Sequence, residues 1–282
     1  MPIREKGYYN WEGQLKESRF KWLPIFFNGI VQVFNKKRSK LLFAFASMPF
    51  LIFLAGVYVA TKPELKMLRE IVQQIKTDTL LFYSFYTFGF LIFSMVLISV
   101  FSGSDLISGD MKFKSFTLYL SRPLSKMDYL MGKYSVVLFY LLLFTLVPGM
   151  LLIVAKLIFS GSFSVPILVF VSSILFPIVT GLFFASLILM VSSLTTNSKF
   201  VVVMFFGIVI GSNVVAQIFK EVFKNDQFFF LSIEKNIMNF GSFLFNTKSG
   251  MEIAGWPSGL ILIGLTALFM TILYFRIDKA EV

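Results

Sequence analysis

The chain has 282 residues, 57% of them hydrophobic and only 15% charged, with 37 phenylalanines and a formal net charge of +11. A soluble core cannot absorb that much apolar surface at so low a charge content, whereas a bilayer can. Cysteine and histidine are both absent, which removes disulfides, thiolate chemistry and the usual ligands of zinc, copper, haem and iron–sulfur centres.

The 13 methionines are scattered and read as packing rather than as copper ligands. The positive charge flanks apolar runs, which is the signature of membrane orientation and not of nucleic-acid binding. The fold class expected is an all-α integral membrane protein with six transmembrane helices.

Residues 1–40 form a polar, basic segment without the apolar core and cleavage site of a signal peptide, so the first span is expected to act as the insertion signal. Within it, Phe20–Phe34 places Trp22, Ile25, Phe26, Ile30, Val33 and Phe34 at three-and-four spacing. An amphipathic helix in the membrane interface fits, followed by a basic run that meets lipid headgroups. The competing reading is a helix packed on another protein domain.

A six-span domain, 41–282, is expected to follow. Span one covers about 41–60 and holds Pro49. Pro63–Thr79 then reads as a short external helix with Pro and Glu64 at its start. Span two covers about 79–104. Residues 105–133 form an insert, and span three covers about 134–158, with Pro148-Gly149 as a candidate kink. Span four covers about 166–194 and span five about 200–219. Residues 220–256 are apolar but interrupted by charge, which suits either an outer cap or a protein-sheltered re-entrant hairpin. Span six covers about 257–275. With the N-terminus inside, 17 of the 26 Lys and Arg fall on the cytoplasmic side, which puts both termini and the insert in the cytoplasm.

The insert is too long for a plain connector. Asp110 is placed to cap a helix over Met111–Leu120 whose face carries Phe113, Phe116, Thr117 and Leu120. Arg122-Pro123 stops that helix, and Ser125 with Asp128 matches a capping box opening a second helix that runs through Gly132-Lys133 into span three. The pair reads either as a docking knob rimmed with charge or as an amphipathic pair resting on lipid.

Inside the spans, Gly207-x-x-x-Gly211 permits close helix approach, within the chain or with a second copy. Ser212, Asn213 and Gln217 either line a substrate route or bond across helices. No span carries a mid-membrane acid or base, which argues against ion coupling. H-E-x-x-H, G-x-S-x-G and a phosphate-binding G-x-x-x-x-G-K-[ST] loop are all absent.

The stretch Ile107–Lys133, ISGDMKFKSFTLYLSRPLSKMDYLMGK, resembles the cytoplasmic insert of the permease subunits of type-2 ABC exporters. The resemblance rests on Gly109-Asp110, Thr117, Leu118, Leu120-Ser121, Pro123, Ser125-Lys126 and Leu130-x-Gly132-Lys133. It departs at Ser115-Phe116, where many members carry a Gly. Gly7–Gly13 also resembles some bacterial members. By topology the likeness covers the whole chain; by motif it is specific only in the insert.

The resemblance implies a transport subunit with no ATPase site of its own. Two permease chains, as a homo- or heterodimer, would form the pathway, and two copies of a separate ABC ATPase would bind ATP and Mg and drive export. The insert would be the coupling helix, with Asp110, Phe113, Phe116, Thr117, Leu120, Arg122 and Pro123 as the ATPase-docking set. Two other readings stand beside it: a membrane anchor that recruits a cytoplasmic partner without transport, and an energy-independent channel.

Overall fold

The computed structural model describes residues 20–61, 77–115, 124–160, 165–248 and 253–279. All regular structure among them is helical. The helices are α1 (Leu23–Asn35), α2 (Ser39–Thr61), α3 (Asp78–Tyr86), α4 (Gly89–Gly103), α5 (Ser108–Lys112), α6 (Lys126–Ser160), α7 (Ile167–Leu194), α8 (Ser198–Phe223), α9 (Ile233–Leu244) and α10 (Trp256–Lys279), with a 3₁₀ helix at Asp226–Leu231. Six helical stretches are long and apolar enough to cross a membrane: α2, α3 with α4 and α5, α6, α7, α8 and α10.

α7 is the centre of the bundle. It packs against α4, α6, α8, α9 and α10, and every residue from Phe183 to Leu189 is fully buried. In lipid, burial of this kind is stabilised by close packing and satisfied polar groups rather than by escape from water. Glycines set the approach distances. A Cβ on Gly103 would run into Ile188, so α4 lies close on α7. Hydroxyls in the spans bond back within their own helices, as Ser99 does to the Met95 carbonyl at 2.8 Å and Thr180 to that of Phe176 at 2.7 Å.

The second span is not one straight helix. Thr87 and Phe88 interrupt it, and the Thr87 hydroxyl donates back to the Tyr83 carbonyl at 2.7 Å. The helix of the third span, α6, begins at Lys126, where the capping box was expected to open it, and runs through Lys133 into the span. It carries Pro148 without ending, and Gly149 there makes room for the Tyr86 ring and hydroxyl.

α1 lies along the insert end of α6. A Cβ on Gly132 would meet Ile25 and the Trp22 carbonyl, one on Gly29 would meet Val136, and the Tyr140 hydroxyl donates to the Ile30 carbonyl at 2.8 Å. The stripe Ile25, Phe26, Ile30 and Val33 therefore faces protein. Phe27, Val31 and Phe34 are the exposed apolar side chains.

After α8 the chain reverses at Lys224, which adopts left-handed backbone geometry. It then runs back along α8 until Ser232 reaches Asn213, with Oγ donating to Asn213 Oδ1 at 2.5 Å. That return covers about 16 Å of helix length at 1.5 Å per residue. α9 then crosses among the far ends of α7, α3 and α10. Its ends are satisfied by protein: Ser232 accepts from Lys235 N at 3.1 Å, and Ser172 donates to the Leu244 carbonyl at 2.6 Å. Asn239 donates to Ala254 O and Ser258 Oγ at 3.0 and 3.1 Å. These bonds are what a backbone reversal needs if it is to lie at membrane depth.

Candidate functional site at the root of the insert

The described residues of the insert are 105–115 and 124–133. Phe116, Thr117, Leu120, Arg122 and Pro123 lie outside the described residues. What the structure places is the root of the insert and its attachment to the spans.

α5 is a single helical turn that ends at Phe113, where Lys114 takes a left-handed φ of 53°. The described start of the expected Met111–Leu120 helix thus leaves helical geometry at Phe113, and the cap expected at Asp110 is not made. Asp110 sits in the first turn of α5 and reaches across to α6. Its carboxylate pairs with Lys133 at 2.8 Å and accepts from the Tyr129 hydroxyl at 2.6 Å. Lys133 also lies over the Tyr129 ring, 5.5 Å from its centroid. The Lys133 side chain is only 7% exposed and that of Asp110 16%. A pair this enclosed keeps its attraction but depends on both members, because either charge left alone would be desolvated without compensation.

The neighbouring bonds attach the same turn to two more helices. Ser108 N donates to Ser192 Oγ of α7 at 3.0 Å, and that hydroxyl donates on to the Ser104 carbonyl at 3.0 Å. Ser198 Oγ, at the start of α8, donates to Asp105 Oδ1 at 2.7 Å. On the other side of the insert, Ser125 Oγ accepts from Asp128 N at 3.1 Å while Asp128 Oδ2 accepts from Ser125 N at 3.1 Å. This reciprocal arrangement starts α6, and the Ser125 hydrogen bonds hold the Asp128 carboxyl below its ordinary range. Lys126 pairs with Asp278 near the end of α10 at 2.6 Å. The root of the insert is thereby joined to α6, α7, α8 and α10.

Phe113 is 75% exposed, with the Lys112 ammonium 5.3 Å from its ring centroid. Beside it, Lys36, Asp105, Asp110 and Lys133 line a cavity between α1, α5 and α6 together with Val33 and Leu106. Residues missed by sequence reasoning are Tyr129, Ser192 and Ser198. Their signal is weak, since a serine in an apolar run looks the same whether it bonds its own helix or a neighbour.

The span-five candidates separate. A Cβ on Gly207 or Gly211 would meet nothing within 4 Å, so the close approach within the chain is not formed among the described residues. Asn213 donates to Glu234 Oε2 at 2.7 Å, and Ser212 Oγ accepts from Ile233 N at 3.3 Å. Both fasten the start of α9 to α8, and Asn213 also borders a cavity. Gln217 bonds Glu221, one turn on in the same helix, at 3.0 Å.

A bundle with six helical stretches long and apolar enough to cross a membrane is the architecture of a polytopic membrane protein. Residues 37–282 match the family model described as ABC-2 family transporter protein, and the chain belongs to that family. It is the membrane component of an ABC transporter, not its ATPase. No curated protein matches the chain.

Proposed function

We propose that this chain is the permease subunit of an ATP-driven exporter, lies in the cell membrane with both termini cytoplasmic, and receives its power stroke through the 105–133 insert. On this reading two ATPase chains, which hold ATP and Mg, dock on the insert of two permease chains, and α1 lies in the cytoplasmic interface with Phe27, Val31 and Phe34 toward lipid. The observation that carries it is the bonding at the insert root. A displacement of α5 is transmitted to α6 through Asp110–Lys133, to α7 through Ser108–Ser192 and to α8 through Asp105–Ser198. A simple lipid-resting loop has no need of three such attachments.

The test is capture of a partner ATPase by the tagged full chain, followed by its ATP turnover in the complex. Phe113→Asp and Phe116→Asp should each lower ATPase capture or coupled turnover at least fivefold with membrane insertion intact. Failure of the wild-type chain to retain any ATPase would remove the exporter reading and leave the anchor or channel.

A further inference from the structure

A second cavity, of about 190 Å³, lies between α4, α8 and α9, bordered by Phe206, Ile210 and Asn213 midway along α8. Its wall is almost wholly apolar: Ile92, Phe93 and Val96 from α4, Phe206 and Ile210 from α8. Phe93 is 46% exposed and Ile210 57%, so the cavity opens sideways between spans two and five. Gly89, at the start of α4 after the break at Thr87-Phe88, leaves open space where a side chain would stand.

One carboxylate enters this apolar space. Glu234 lines the cavity from the first turn of α9. Asn213 donates to its Oε2 at 2.7 Å, and among the described residues Oε1 has no hydrogen-bond partner and the carboxylate has no ion pair. Two lysines close in sequence are engaged elsewhere. Lys235 lies over the Phe229 ring at 5.8 Å, and Lys220 pairs with Asp226 at 3.3 Å. The Asn213 amide holds the carboxyl group at the cavity wall. A carboxyl group is costly to place beside hydrocarbon walls, and ionisable groups retained there in membrane proteins are commonly functional.

We propose that this cavity binds an amphiphile whose headgroup is cationic, an amine or quaternary ammonium, with its apolar body along Phe93, Phe206 and Ile210. The cation supplies the counter-charge that the chain itself does not, and the sideways opening admits the molecule from the bilayer. That such an amphiphile is cargo rests on the exporter reading above; that it binds does not.

The experiment uses the full chain in phosphatidylcholine nanodiscs, with radiolabelled benzyldimethyldodecylammonium as probe and dodecylbenzenesulfonate as a competitor of like tail and opposite charge. Wild type should bind the cation saturably, and the anion should displace it poorly. Glu234→Gln keeps the hydrogen bond from Asn213 and should weaken cation binding at least tenfold at an unchanged unfolding temperature. Ile210→Trp, at a half-exposed position that tolerates bulk, should block the cavity and weaken it similarly. Cation binding unchanged in either folded variant, or equal displacement by the anion, overturns the proposal. Absent binding with ATPase capture intact removes the site and spares the exporter reading; intact binding without ATPase capture does the reverse.

Discussion

Asp110 and Lys133 form a pair whose worth depends on completeness. Both side chains are largely enclosed, and the Tyr129 hydroxyl completes the carboxylate. Removing one partner from such a pair costs about 3–5 kcal/mol, because the other charge stays desolvated. Asp110→Asn should therefore lower the unfolding temperature of the purified chain by several degrees and reduce ATPase coupling with it. The double variant Asp110→Asn with Lys133→Met should recover much of the stability but not the coupling. A double variant that recovers both would show that the pair carries no signal. Ser125 is a milder case. Ser125→Ala removes one half of the reciprocal cap, at about 1 kcal/mol, and should appear as faster amide exchange over 126–130. Since Ser125 lowers the folded pKa of Asp128, the contribution of this cap is full above the ordinary carboxylate range, roughly pH 4. It is lost as pH falls through the lower folded value.

At the scale of elements, the proline of α7 explains a tyrosine of α3. Pro177 has no N–H, so the carbonyl four residues earlier, that of Ser173, loses its helical donor. The Tyr86 hydroxyl donates to that carbonyl at 3.0 Å, and Gly149 of α6 leaves room for the ring. Three spans are thus fastened at one point far from water. Tyr86→Phe should leave the carbonyl unpaired and cost about 1–3 kcal/mol, read as a lower unfolding temperature in detergent. An unchanged midpoint would mean that the carbonyl finds another donor. Pro177 is visible in the sequence, but its donor lies in a different span, and no local pattern connects the two. The start of α6 was legible in the Ser125–Asp128 capping box, but the partner of Lys133 was not. Lys133 ends an apolar run when counted along the chain, yet Asp110 neutralises it and the helix continues. By contrast the six spans were legible, because about 20 apolar residues are needed to cross the hydrocarbon and few other structures accept them. The break at Thr87-Phe88 carries no proline and was not. In α1 the sequence grouped residues that the structure separates. Three-and-four spacing grouped Phe34 with Ile25, Ile30 and Val33, yet Ile25 and Val33 are buried while Phe34, half a turn round from Ile25, stands exposed.

Across the whole molecule, burial is uneven in a way that bears on assembly. α4 and α7 are mostly enclosed, whereas α2, α8 and α10 present long apolar faces outward. Lipid can cover such faces, so exposure alone selects no partner. α8 differs in carrying Gly207 and Gly211 one turn apart on open surface, and small residues at that spacing let two helix backbones approach closely. We expect a second permease chain to seat there. The absence of cysteine makes the test clean, since every disulfide formed must involve an introduced thiol. Gly207→Cys or Gly211→Cys, oxidised in native membranes, should give a covalent dimer if the facing Cα atoms come within about 7 Å. Leu260→Cys on the exposed face of α10 should give none under the same conditions. A dimer from Leu260→Cys alone would move the interface to α10, and monomer from every variant would leave the α8 face to lipid. Coupled transport tracking the α8 crosslink would then show whether the two chains must move relative to each other along this seam.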